Sequence, residues 1–180
     1  LMLMFSPTAL FLAPGIVLLF LGFLLMGSQL FAPSDGPLQV FGLALDFHWA
    51  ILGSALALVG YQLVLVHFFA RIYSVTHRIR EPDAILERGF RILSLDRVLL
   101  LSVGIVLLGA TLDGIIVARW VGSGGPFLAG DTRLFILGST LLALGLQTLF
   151  NAFFFSILGD AYKYGLSGDG VADRSAADRR

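Results

Sequence analysis

The sequence predicts an all-α integral membrane fold, on three observations. Of its 180 residues 57% are hydrophobic and 13% charged, against the roughly half-apolar, one-quarter-charged mix of soluble domains, and mean hydropathy is +0.90. The charges stand in clumps, leaving charge-free tracts at residues 1–34, 47–70, 98–112 and 134–159. About 20 apolar residues cross a hydrocarbon core, so three of these tracts span outright and the third spans by running on through Asp113 to Ala118. The last observation is a sequence written twice: "ILGSALALVGYQ" at residues 51–62 returns as "ILGSTLLALGLQ" at 136–147. The expectation is four transmembrane helices arranged as two parallel-repeat helical hairpins, plus a short cytoplasmic interfacial amphipathic helix.

The first span, about 7–30, opens on "FSP", with Ser6 as N-cap and Pro7 at the first helical position. Pro14 lies inside it and predicts a kink. A cleaved leader does not fit, since the tract has no basic residue before it and is too long. The second span, about 47–74, is opened by Asp46, whose carboxylate suits the free amides at a helix N-terminus. "EPDAILERGFRIL" follows, with Pro82 near a helix start and Ile85, Leu86, Gly89, Ile92 and Leu93 along one side, a pattern for an interfacial helix over about 82–92. The third span covers about 95–120 and the fourth about 132–159, the latter capped by Asp131. The remaining tail, 161–180, is rich in Gly, Asp and Ser and is expected to be disordered.

Residues 43–73 set beside 128–158, at an offset of 85, share thirteen identities in 31 positions, including Asp46 with Asp131. The first and third spans agree through "GIVLL" at 15–19 and 104–108, an offset of 89. Each unit is thus a helical hairpin, and an even number of crossings gives both copies one orientation. Six arginines (Arg71, Arg78, Arg80, Arg88, Arg91 and Arg97) lie at or between the ends of the second and third spans. The positive-inside rule makes that segment cytoplasmic, and with it both termini.

No phosphate-binding glycine loop, HExxH or Gly-x-Ser-x-Gly stretch occurs, and without cysteine no disulfide or thiolate metal site can form. His48, His67 and His77 belong to three depths, too far apart to share a metal. Asp113 stands about 10 Å below the Trp120 end of its helix. An intramembrane carboxyl needs a partner, water or a proton, and Ser54, Ser139 and Thr140 fall at a similar level. A structural hydrogen bond and a proton-relay or substrate role both fit. Gln62, Gln147 and Asn151 are expected to tie helices together in the other half of the bundle, along seams at Gly53/Gly60 and Gly138/Gly145. Arg71, Arg78 and Arg97 serve either as topology signals or as ligands of a lipid phosphate, whose oxygens a guanidinium fork binds in pairs.

The segments "MFSPTALFLAPG", "LDFHWAILGSALALVGYQ", "FFARIY", "LERGFRILSLDR" and "LGSTLLALGLQTLFNAFFFSILG" together resemble the C-terminal membrane region of bacterial family-2 glycosyltransferases similar to dolichol-phosphate mannose and glucose synthases. The likeness runs from Met4 to Gly159. It implies a plasma (inner) membrane domain that anchors a cytoplasmic catalytic domain, present in cis or in trans, and positions a polyprenyl-phosphate-type acceptor. This chain carries no Asp-x-Asp metal motif, so no cofactor is expected in it, and a divalent metal would belong to the catalytic domain. A fragment of a longer reading frame is the simplest expectation. The alternatives are a free-standing, flippase-like or accessory subunit for lipid-linked sugars, or a scaffold that forms homo-oligomers; nucleic acid is not expected as a partner.

Overall fold

A proline in the first membrane segment decides how its helix begins. Proline lacks an N–H and crowds the carbonyl one turn back. In the computed structural model, which describes residues 8–33, 36–40, 42–76, 95–125 and 129–177, Thr8–Leu12 form a single π turn. Helix α1, Ala13–Ser28, follows with proline in its first turn. Leu12 is itself helical, so Pro14 lies inside a continuous helical run, and the wider π turn accommodates its missing donor and its crowding of the carbonyl one turn back. Ser6, the expected cap, lies outside the described residues.

A 3₁₀ turn, Gln29–Phe31, closes α1. The segment leading to α2 then holds a hairpin that sequence reasoning did not anticipate. Strands β1, Leu38–Val40, and β2, Leu43–Leu45, pair antiparallel, with Leu38 opposite Leu45 and Val40 opposite Leu43. Gly42, at φ 82, makes the reversal.

Helix α2 is Phe47–Thr76. Asp46 caps it: the His48 amide donates to Asp46 Oδ1 at 3.0 Å, and the His48 ring Nδ1 meets Oδ2 at 2.7 Å. Helix α3, Leu95–Ser123, ends where Gly124, at φ 60, donates its N–H to the Trp120 carbonyl at 3.2 Å. Helix α4 is Ala129–Ala177. It starts before Asp131, which is therefore a first-turn residue rather than the expected cap, placed near Arg119 Nη1 at 3.3 Å. The carboxylate still meets the positive end of the helix dipole. At its other end α4 continues through the tail expected to be disordered; no proline follows Pro126, and extending a formed helix needs no new nucleus. The expected interfacial helix at 82–92 lies outside the described residues.

Four segments are long and apolar enough to cross a membrane: Leu10–Phe31, Phe47–Arg71, Asp96–Ser123 and Gly130–Ile157. They stand in the order α1, α2, α4, α3, with α1 against α2, α2 against α4 and α4 against α3. Large apolar side chains such as Phe20, Leu100 and Phe150 point outward, as helices bathed in lipid require.

Glycine makes the tight contacts. A Cβ on Gly22 would lie 2.6 Å from the Gly53 carbonyl oxygen, and one on Gly60 would lie 2.7 Å from that of Gly15. Across α3 and α4, a Cβ on Gly109 would lie 2.7 Å from the Gly138 oxygen and 2.6 Å from the Leu142 nitrogen. These are backbone atoms and cannot swing aside, so only glycine lets the axes approach this closely.

Gly22→Ala and Gly60→Ala are accordingly expected to destabilise the protein by about 1–3 kcal/mol each, measured by reversible unfolding in detergent. Gly104→Ala and Gly114→Ala, which face open space, are expected to match the unsubstituted chain. The Asp46 cap yields a pH prediction. The His48 hydrogen bond is the main reason that the Asp46 carboxyl sits below its ordinary value of 3.8. A depressed carboxylate stabilises above the ordinary value and loses that contribution as pH falls through its own lower one. The side-chain carboxyl resonance of Asp46 is therefore expected to titrate with a midpoint below 3.8.

Candidate functional site

Between α2 and α4 buried and half-buried polar side chains form two ties. Nearer the hairpin end, where α1 meets α2 and α3 meets α4 in sequence, the Thr140 and Ser54 hydroxyls are bonded at 2.7 Å. Thr140 also lies 2.6 Å from the Ile136 carbonyl of its own helix. Two turns further on, the Tyr61 and Thr148 hydroxyls are bonded at 2.7 Å, and Thr148 donates to the Leu144 carbonyl at 2.7 Å. Thr148 gives its proton to its own helix and accepts from Tyr61, whereas the Thr140 hydroxyl has both Ser54 Oγ and the Ile136 carbonyl as acceptors. Such bonds contribute about 0.6 kcal/mol on average inside a bilayer.

Asp113 sits on the other side of α4. Its Oδ2 accepts from Ser139 Oγ at 2.9 Å, while Oδ1 is buried without a partner among the described residues. The carboxyl lies over Gly138, in the space a Cβ there would take. Of the three hydroxyls expected to serve it, only Ser139 does so; Ser54 and Thr140 face α2 and bond each other. Neighbouring positions on a helix differ by 100°, which is enough to divide Ser139 from Thr140 between two partner helices.

Gln147 and Asn151 are half-buried and, among the described residues, form no hydrogen bond to another helix: Asn151 Nδ2 donates to the Gln147 backbone carbonyl of the same helix at 2.6 Å, and Gln147 Oε1 is buried without a partner. Gln62 does not join them. It is exposed on α2, because two residues from Gly60 is more than half a turn away from the α1 seam, and Tyr61 takes the place that faces α4.

Towards the arginine-bearing end the α2 and α4 contact turns aromatic. Phe69 stacks on Phe155 at 4.6 Å and meets Phe154 edge-on at 5.2 Å, and Phe68 meets Phe155 at 6.5 Å. Arg71, half-buried, follows one turn after Phe68, and exposed Arg97 opens α3. Helices α2 and α3 flank α4, so these arginines stand on either side of its phenylalanine-rich segment. Phe150, Phe153, Phe154 and Ile157 are exposed there. Arg78, the third expected phosphate ligand, lies outside the described residues.

Two polar side chains near the hairpin end went unread in the sequence. Arg133 is buried, donating from Nη1 to the Pro33 carbonyl at 2.9 Å and from Nη2 to that of Gly36 at 2.7 Å. It clamps the segment after α1 onto α4, beside buried Gln29 of the 3₁₀ turn that touches α4. Its signal in the sequence was a lone arginine one turn inside a membrane helix, indistinguishable there from a loop charge. Among the described residues no group of acidic or histidine side chains could hold a metal.

A family model described as the glycosyltransferase family 2 C-terminal transmembrane region matches residues 68–159, just over half of the chain. No curated protein and no solved structure matches.

The packing of Asp113 over Gly138 gives a coupling test. Gly138→Ala is expected to destabilise by displacing the carboxyl from Ser139, and Asp113→Ala in the same chain is expected to recover part of the loss. A double-mutant cycle is expected to give a coupling of at least about 0.5 kcal/mol. Asp113→Asn, which keeps an acceptor for Ser139, is expected to unfold close to the unsubstituted chain.

Proposed function

The chain belongs to the glycosyltransferase family 2 C-terminal transmembrane region, and on that premise we propose that it holds the lipid acceptor of a glycosyltransferase beside α4, at the arginine-bearing end of the bundle. Membrane anchoring follows from the four spanning helices. Acceptor positioning is the further step, and one observation carries it: Arg71 and Arg97 bracket a segment of α4 whose phenylalanines face outward.

That arrangement suits an amphiphile with an anionic head and a long apolar chain. A guanidinium at the membrane surface binds phosphate oxygens in pairs, and exposed Phe150, Phe153 and Phe154 offer an apolar wall along which a polyprenyl chain can lie. Arg78, seven residues beyond Arg71 in sequence, completes the proposed set. The excess of arginine at this end supports a cytoplasmic placement by the positive-inside rule, where a catalytic domain using a nucleotide-sugar would meet the phosphate.

The two hairpins read as copies of one unit. Gly22 packs on Gly53 as Gly109 packs on Gly138, and Leu19 packs on Gly60 as Val106 packs on Gly145. These pairs support offsets of 87 for α1 with α3 and 85 for α2 with α4. The "GIVLL" match at 89 is then fortuitous, in keeping with Gly15 meeting Gly60 while Gly104 meets nothing. At 87, Asp113 takes the place of buried Met26, so the carboxyl belongs to the second copy alone.

In the intact enzyme, Arg71→Gln and Arg97→Gln are each expected to raise KM for the lipid acceptor about tenfold, the loss of one charge-assisted contact, with kcat at saturating acceptor unchanged. Unaltered acceptor kinetics in normally inserted protein would leave these arginines as topology signals.

A further inference from the structure

Around α2, Gly53, Ala57 and Gly60 point to α1, while Ser54, Tyr61 and Phe68 point to α4. At 100° per residue these directions are about a quarter-turn apart. The opposite side of α2 carries Leu52, Ala55, Val59, Gln62 and Val66. Leu52 is 46% and Val59 52% exposed, Ala55 and Gln62 are exposed, and Val66 is half-buried.

Two features of this face point to the same occupant. Its residues alternate steps of three and four, the seam of a helix that packs on another along its length. Near its middle stands an amide. Gln62 lies about 22 Å along the helix from Phe47 and about 14 Å from Arg71, too deep for its short side chain to reach either interface. Among the described residues Gln62 forms no hydrogen bond. Thr111, also lipid-facing, closes its hydroxyl on the Leu107 carbonyl at 2.7 Å, but a glutamine amide carries both donors and acceptors to satisfy.

We propose that this face of α2 is the contact with a second copy of the chain, the two Gln62 amides bonding to each other across a two-fold axis along the membrane normal. Hydrocarbon offers an amide nothing, and a lipid phosphate offers acceptors only and sits at the surface. A copy related by that axis presents the same side chain at the same depth, with a donor for each acceptor. One polar residue in an otherwise apolar seam fixes register and partner number, as a buried asparagine does in coiled coils.

The sequence has no cysteine, so single cysteines introduced on a cysteine-free background of the full-length protein report contact directly in native membranes. Leu52→Cys, Val59→Cys and Val66→Cys are expected to oxidise to a disulfide-linked dimer, and Leu107→Cys, on the lipid face of α3, to remain monomeric. In the Val59→Cys chain, Gln62→Leu is expected to lower the cross-linked fraction at least about threefold, the size of one interhelical hydrogen bond, while Gln62→Asn retains it. Equal cross-linking from α3, cross-links only to other proteins, or a yield indifferent to Gln62→Leu would each overturn the proposal.

Discussion

The bundle depends on two glycine seams along which helix backbones come close enough to touch. At Gly22 with Gly53, and at Gly109 with Gly138, the carbonyl of one helix occupies the space where a side chain on the other would begin. In a bilayer no hydrophobic gain favours one helix over a lipid tail, so association rests on dispersion at short range and on polar groups that cannot find water. Glycine supplies the short range. Pairing α1 with α2 and α3 with α4 follows from it, and these pairs form the two hairpins.

Joining the hairpins is a different problem, solved by hydroxyls. The α2 and α4 surfaces meet through Ser54 with Thr140 and Tyr61 with Thr148, then through four phenylalanines. In each tie the threonine hydroxyl also reaches a carbonyl of α4 itself. Arg133 does at the hairpin end what the phenylalanines do at the other, fastening the segment after α1 to α4. Helix α4 thereby contacts α2, α3 and the 3₁₀ turn after α1, and its outward phenylalanines are placed between the two arginine-bearing helices.

Much of this was legible in the residues. Charge-free tracts located all four spans, because hydrocarbon excludes formal charge and the spacing of charges is a one-dimensional quantity. The Asp46 cap was legible because capping is local. The bond between Asp113 and Ser139 could be anticipated from depth alone. Depth could not say that Ser54 and Thr140 belong to another contact, nor that Gln62 faces outward, since both depend on which side of a helix its neighbours occupy. The β1 and β2 hairpin was invisible because three-residue strands carry too short a pattern, and Asp131 was misassigned as a cap because helix starts shift by a residue or two with little change in sequence signal.

The number of crossings, their membrane character, the glycine seams and the charge asymmetry were determined by sequence alone, through composition and periodicity along one axis. The order α1, α2, α4, α3, the division of the hydroxyls between partners and the burial of Arg133 were decided only by tertiary structure. The reason is rotational: periodicity says that a helix has a sticky face, but the direction in which that face points is set by the helix that comes to lie against it.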